Sequence, residues 1–182
     1  MNNPQVDKDG AYIGPRPTYR AAGNVVAAAG TSAFLTINGA AGKVIRISKI
    51  RITGITLTAV QYLRVALNKN STAFTGGTST NPTKVPLDSN SPASSATIAQ
   101  YTVAPAGGTV VGSIGEKTVL GQASTPAASA SPNEVVFDFT DRDAVGPGIL
   151  RSAAEGISVL FAAAPASAVT LSYDIEYTED GN

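Results

Sequence analysis

The chain has 182 residues, with 13 basic and 13 acidic side chains and no cysteine, histidine or tryptophan. Ala, Gly, Ser and Thr supply 29, 18, 16 and 19 residues, while charged residues make up only 14%, against roughly 25% in an ordinary soluble domain. Without Cys there is no disulfide, thiolate nucleophile, zinc–thiolate site or iron–sulfur cluster, and without His there is no Ser-His-Asp triad or imidazole base. Only carboxylate, lysine, tyrosine or N-terminal chemistry remains, so a non-enzyme is expected.

Val, Ile, Leu and Phe number 16, 12, 9 and 5, which suffices for one core at this length. A single domain with tails is therefore expected. The start, Met1-Asn2-Asn3-Pro4-Gln5, has no basic stretch leading into an apolar one, so a chain made in the cytoplasm is expected. No segment approaches the roughly 20 apolar residues of a membrane span.

Residues 1–30 show neither helical nor strand periodicity. Pro4, Pro15 and Pro17 fix φ and remove donors, so this part reads as an extended arm. Tyr12, Ile13 and Tyr19 are its candidate anchors on a neighbouring surface.

The folded body is expected over residues 31–182. Ser32–Ile37 and Lys43–Ile52 read as a hairpin with a five-residue connection, Asn38-Gly39-Ala40-Ala41-Gly42. Ile45 and Ile47 share one face and Ile50 and Ile52 the other, so the phase slips near Ser48-Lys49, and again across Gly54. Each slip predicts a bulge or bend. Gln61–Leu67 alternates cleanly. Residues 68–96, with Gly76-Gly77, Pro82, Pro86 and Pro92, are too long for a turn and read as a surface excursion.

Thr97–Val103, Thr109–Leu120 (broken at Gly115), Glu134–Phe139 and Ile157–Phe161 follow as strands. The clearest signal comes last. Val169, Leu171, Tyr173, Ile175 and Tyr177 alternate with Thr170, Ser172, Asp174 and Glu176, as in an antiparallel strand with one wet face. About eight short strands and long polar connections predict an all-β chain, an antiparallel β-sandwich of jelly-roll type with an extended N-terminal arm.

Motifs for chemistry are weak. Ile114-Gly115-Glu116-Lys117-Thr118 resembles the end of a phosphate loop, but Glu116 interrupts the required Gly-Lys-Thr and the flanks read as strand. Asp138, Asp141 and Asp143 could serve a hard cation. They lack the loop glycine and distal Glu of an EF-hand, and organising the local turns explains them better. Asn70-Ser71-Thr72 is a formal glycosylation sequon. Lys43, Arg46, Lys49 and Arg51 form the one basic cluster. No aromatic interleaves it for stacking on bases, so it reads as edge protection or an interface rim. The acidic end, Asp174, Glu176, Glu179 and Asp180, is its candidate partner, within or between subunits.

The closing pattern Gly148–Arg151, Glu155–Phe161 and Val169–Tyr177, in a Cys- and His-free chain rich in Ala, Thr, Ser and Gly, resembles the final strands of small virion jelly rolls of tailed bacteriophages. Capsid decoration (cement) proteins match best by size and arm. That resemblance implies a virion protein on the capsid exterior, made in the host cytoplasm, with the major capsid protein as partner and self-association as a homotrimer. It implies no catalysis, cofactor, nucleic-acid or membrane partner. A head-fibre or tail receptor-binding module and a tail or connector structural protein stay open as alternatives.

Overall fold

The computed structural model describes residues 16–123, 133–140 and 148–181. It is all-β, with no helix among the described residues. In chain order the strands are β1 (Thr18–Ala27), β2 (Leu35–Asn38), β3 (Lys43–Leu57), β4 (Gln61–Asn70), β5 (Phe74–Thr75), β6 (Thr78–Thr80) and β7 (Lys84–Pro86). There follow β8 (Thr97–Val103), β9 (Ala106–Gly107), β10 (Val110–Ala123), β11 (Glu134–Asp138), β12 (Ile149–Leu150), β13 (Gly156–Phe161) and β14 (Val169–Gly181).

Twelve strands form one curled sheet, a half-barrel, in the order β6-β8-β2-β13-β4-β10-β3-β14-β1-β7, with β11 and β12 also paired to β3. β5, on the excursion, pairs separately with β9 beyond β8, and β2 and β3, expected as a hairpin, do not pair, since β2 lies between β8 and β13. The two end strands, β6 and β7, are joined by only Asn81-Pro82-Thr83, which reach about 14 Å at most. One short segment thus ties both ends of a ten-strand path, and the sheet must curl. The expected surface excursion supplies those ends.

The sheet is mixed, which corrects the purely antiparallel expectation. Gln122 and Ala123 of β10 pair parallel with Thr56 and Leu57 of β3. The direction is forced. β4 reverses β3 and β10 reverses β4, so β10 runs with β3 where the two meet.

β3 realises both predicted phase slips. Glu176 and Tyr177 of β14 oppose Lys49 and Ile47, leaving Ser48 as an extra residue, and a second irregularity falls at Gly54 and Ile55. Gly54 has φ +62°, a left-handed conformation that costs an L side chain about 1–2 kcal/mol. The bulges return Ile45, Ile47, Ile50, Ile52, Ile55 and Leu57 to one face, where all are buried. The break expected at Gly115 is a further register shift, between Ser113 and Gly115 of β10.

Thr18–Ala27, read from the sequence as part of the arm, is a sheet strand paired along its whole length with β14. Its inward positions are Tyr19, Ala21, Gly23, Val25 and Ala27, and all but Gly23 are buried. The alternation exists, but small residues hide it. Gly23 is small for a reason: a Cβ there would lie 2.6 Å from the Tyr173 hydroxyl. That hydroxyl donates across the core to Gln100 Oε1 of β8 at 2.6 Å.

Candidate interaction face

Period two sends the polar positions of β1, β14, β3 and β11 to the outer face of the sheet. The registers then line them up. Arg20 lies directly opposite Glu176, Glu176 opposite Lys49, and Lys49 opposite Asp138. The result is a row of alternating charge across four strands, about 14 Å wide at the usual strand spacing. In the neighbouring row Asp174 opposes Arg51.

The ion pairs on this face lean outward. Arg20 Nε lies 3.1 Å from Asp174 Oδ1, and Arg20 Nη2 lies 3.6 Å from Glu176. Lys49 Nζ lies 3.0 Å from Asp138, and Arg51 Nε lies 2.7 Å from Glu134. The acids of β14 turn towards β1 and the bases of β3 towards β11. A shallow depression of about 70 Å³ remains over the β14–β3 seam, lined by Arg20, Lys49, Arg51, Asp174 and Glu176.

The predicted basic cluster therefore sits beside the predicted acidic strand in the same chain. Arg46 bonds Asp180, and Arg16 Nε approaches the same carboxylate at 3.3 Å. Lys43, half-buried, opens β3 opposite Gly181. Arg51 stays half exposed. Tyr12 and Ile13 lie outside the described residues. Tyr19, expected as an anchor on a neighbour, is buried in its own core and stacks on Tyr177 with centroids 5.5 Å apart.

Asp138 behaves as a turn organiser. Its Oδ1 accepts the Thr140 N–H at 3.0 Å and the Thr140 hydroxyl at 2.6 Å. Those bonds, joined by Lys49, hold its carboxyl down at about 2. Asp141 and Asp143 lie outside the described residues, and among those described no three potential ligands cluster. Asn70 of the sequon is fully buried; its Oδ1 accepts from Ser158 Oγ at 2.9 Å and its Nδ2 donates to Gly108 O. Ile114–Thr118 lies within β10 and edges an open cleft of about 220 Å³ facing Phe137–Phe139 of the β11 segment.

Sequence reasoning grouped Glu179 with the acidic end; the structure buries it. Its carboxylate accepts the N–H groups of Ser95 and Ala96 at 3.1 and 2.9 Å, the Ser95 hydroxyl at 2.8 Å, and the Ser94 hydroxyl. Ser94 also bonds the Tyr177 hydroxyl at 2.7 Å, and Tyr19 donates to Pro92 O at 2.9 Å. The returning end of the excursion is thus clasped to β14 and β1. The signal was present in the sequence: Glu179 continues the odd, inward phase of Val169 to Tyr177. Arg20 and Glu134 were also missed, since their part in the face depends on register alone. Comparison of the chain with family models, curated proteins and solved structures finds no match.

Proposed function

We propose that the chain is a non-enzymatic structural protein of a bacteriophage virion, a decoration protein that binds the outer surface of the capsid and reinforces its lattice as a homo-oligomer. On this reading the curled sheet is a jelly-roll-like sandwich and the N-terminal residues reach a neighbouring surface. The observation that carries the proposal is mechanical. Both ends of the sheet are tied by one three-residue link, and the excursion that supplies them is clasped by the buried Glu179. Such a tether holds the two edge strands of the open sheet to one another and suits a part that bears load. The low charge density and the abundance of small side chains favour broad, flat contacts that cost little to desolvate.

An adhesion module is the second reading, favoured by Tyr62, 74% exposed beside the exposed Val60 on β4 and its approach. Copy number separates the two. Quantifying the protein on purified particles and imaging them should give hundreds of copies over the head exterior. A handful of copies at the tail or at a single vertex would overturn the decoration reading.

A further inference from the structure

We infer that the outer face of β1, β14, β3 and β11 pairs with the same face of a second copy about a two-fold axis running along the β14–β3 seam. The charge row is what makes this face self-complementary. Across the strands it reads Arg20 positive, Glu176 negative, Lys49 positive, Asp138 negative. A two-fold parallel to the strands reverses the order of strands and turns one face onto the other, while leaving heights along the strands unchanged. Plus-minus-plus-minus then meets minus-plus-minus-plus. Arg20 comes over the partner's Asp138, and Glu176 over the partner's Lys49. In the adjacent row Asp174 comes over the partner's Arg51.

The geometry at the seam supports this occupant in two ways. First, the internal ion pairs lean away from the seam, so Glu176 and Lys49, though opposite in register, are each engaged with an outer neighbour. The depression between them is open to an incoming side chain. Second, Asp174 Oδ1 is held only by the Arg20 ion pair at 3.1 Å, without an aligned hydrogen bond among the described residues, and the partner's Arg51 brings a second guanidinium beside that carboxylate. Face-packed sheets hold their strands within about 30° of one another, which a two-fold along the strands satisfies. A foreign surface would need four charges in matching alternation, and a second copy supplies them by symmetry. Charge matching of this kind selects the partner more than it adds affinity.

The test is sedimentation velocity on the full chain, with the β spectrum and melting temperature of each variant as folding controls. Wild type should sediment as a two-copy species that dissociates as salt screens the face. Lys49→Glu sets an acid against the partner's Glu176 across the axis, and Glu176→Lys sets a base against the partner's Lys49. Each change acts twice by symmetry and should raise the dissociation constant roughly tenfold or more. An equimolar mixture of K49E and E176K should recover a mixed pair, because every position across that axis is again matched. A wild-type chain that stays monomeric overturns the inference. So does an oligomer, trimer or other, whose mass ignores both substitutions, and so does a mixture that fails to recover the pair.

Discussion

Glu179 accepts the backbone N–H of Ala96 at 2.9 Å, joining positions 83 residues apart. Two backbone amides and two hydroxyls converge on this carboxylate, so burial, which alone would raise its pKa, is outweighed and the group lies below the usual glutamate range. Glu179→Ala would leave the Ser95 and Ala96 amides unpaired and should cost about 3 kcal/mol, read by urea or thermal unfolding. The Ser94–Ala96 segment should also lose its amide-exchange protection. Unchanged stability would mean that the excursion is held by other contacts.

Acid should destabilise the protein through the same group. A carboxyl whose folded pKa is depressed contributes stability that is complete above its unfolded value near 4.5 and is lost as pH falls through the folded value. Glu155 acts in the same direction. Burial raises its pKa, but the Lys69 ammonium at 2.8 Å and the Arg151 N–H bring it below the ordinary value. Melting temperature should therefore hold from neutrality to about pH 5 and fall below it. In Glu179→Gln that acid limb should be shallower, because one of the titrating groups is gone.

The alkaline side is set by tyrosines. Burial pushes Tyr173 and Tyr177 up to about 12 each. A phenol whose folded pKa is raised keeps its stabilising effect below the unfolded value near 10 and loses it as pH rises towards the folded value. Titration followed by phenolate absorbance should show these two tyrosines ionising late, joined by Tyr19, which burial and the Glu179 charge also raise, together with loss of the folded spectrum. If Tyr177→Phe and Tyr173→Phe leave the late step intact, the assignment fails.

What could be read from the sequence depended on side-chain size and on register. The last strand was legible because large residues occupy Leu171, Tyr173, Ile175 and Tyr177 on one phase. β1 was not, since Ala21, Gly23 and Ala27 carry the same alternation without apolar bulk. The slips at Ser48 and Gly54 were legible as faults in period. Their consequence, that Ile45 and Ile50 end on the same face, needed the pairing with β14. The charge row was illegible in principle: Arg20 and Glu176 stand 156 positions apart in sequence, and only the register of β1 on β14 makes them neighbours.

The bulges yield a graded pair of outcomes. Gly54→Ala places a Cβ at φ +62°, with only Ser172 Oγ nearby at 3.8 Å, so the cost is conformational, about 1–2 kcal/mol. Deleting Ser48 removes the extra residue and shifts one part of β3 by one position against β14. A one-residue slip sends a strand's side chains to the opposite face, so Ile45 and Ile47 would leave the core or Ile50 and Ile52 would. The deletion variant should not give a cooperative unfolding transition, whereas Gly54→Ala should melt cooperatively at a lower temperature.

Asn133 holds the place where β10 parts from β3. Its Oδ1 accepts the Ile55 N–H at 2.9 Å, and its Nδ2 donates to Ile55 O at 2.7 Å and to Leu120 O at 2.9 Å. The side-chain amide thus occupies the place of a backbone unit at the point where β3 passes from its β10 pairing to its β11 pairing. Beyond it the cleft between β10 and the β11 segment opens, with Lys117 Nζ 5.7 Å from the centre of the Phe137 ring. Asn133→Ala removes three hydrogen bonds and leaves the Ile55 amide of a buried residue unpaired, a loss of about 2–3 kcal/mol. Asn133→Asp keeps the acceptor but abolishes both donations, so it should recover only part of that loss. Amide exchange should rise at Gln122 and Ala123, whose parallel pairing with β3 the bridge protects, while Tyr173 and Ile175 in β14 stay protected. Equal exchange at Gln122 in wild type and variant would show that the two-residue parallel pair stands without Asn133.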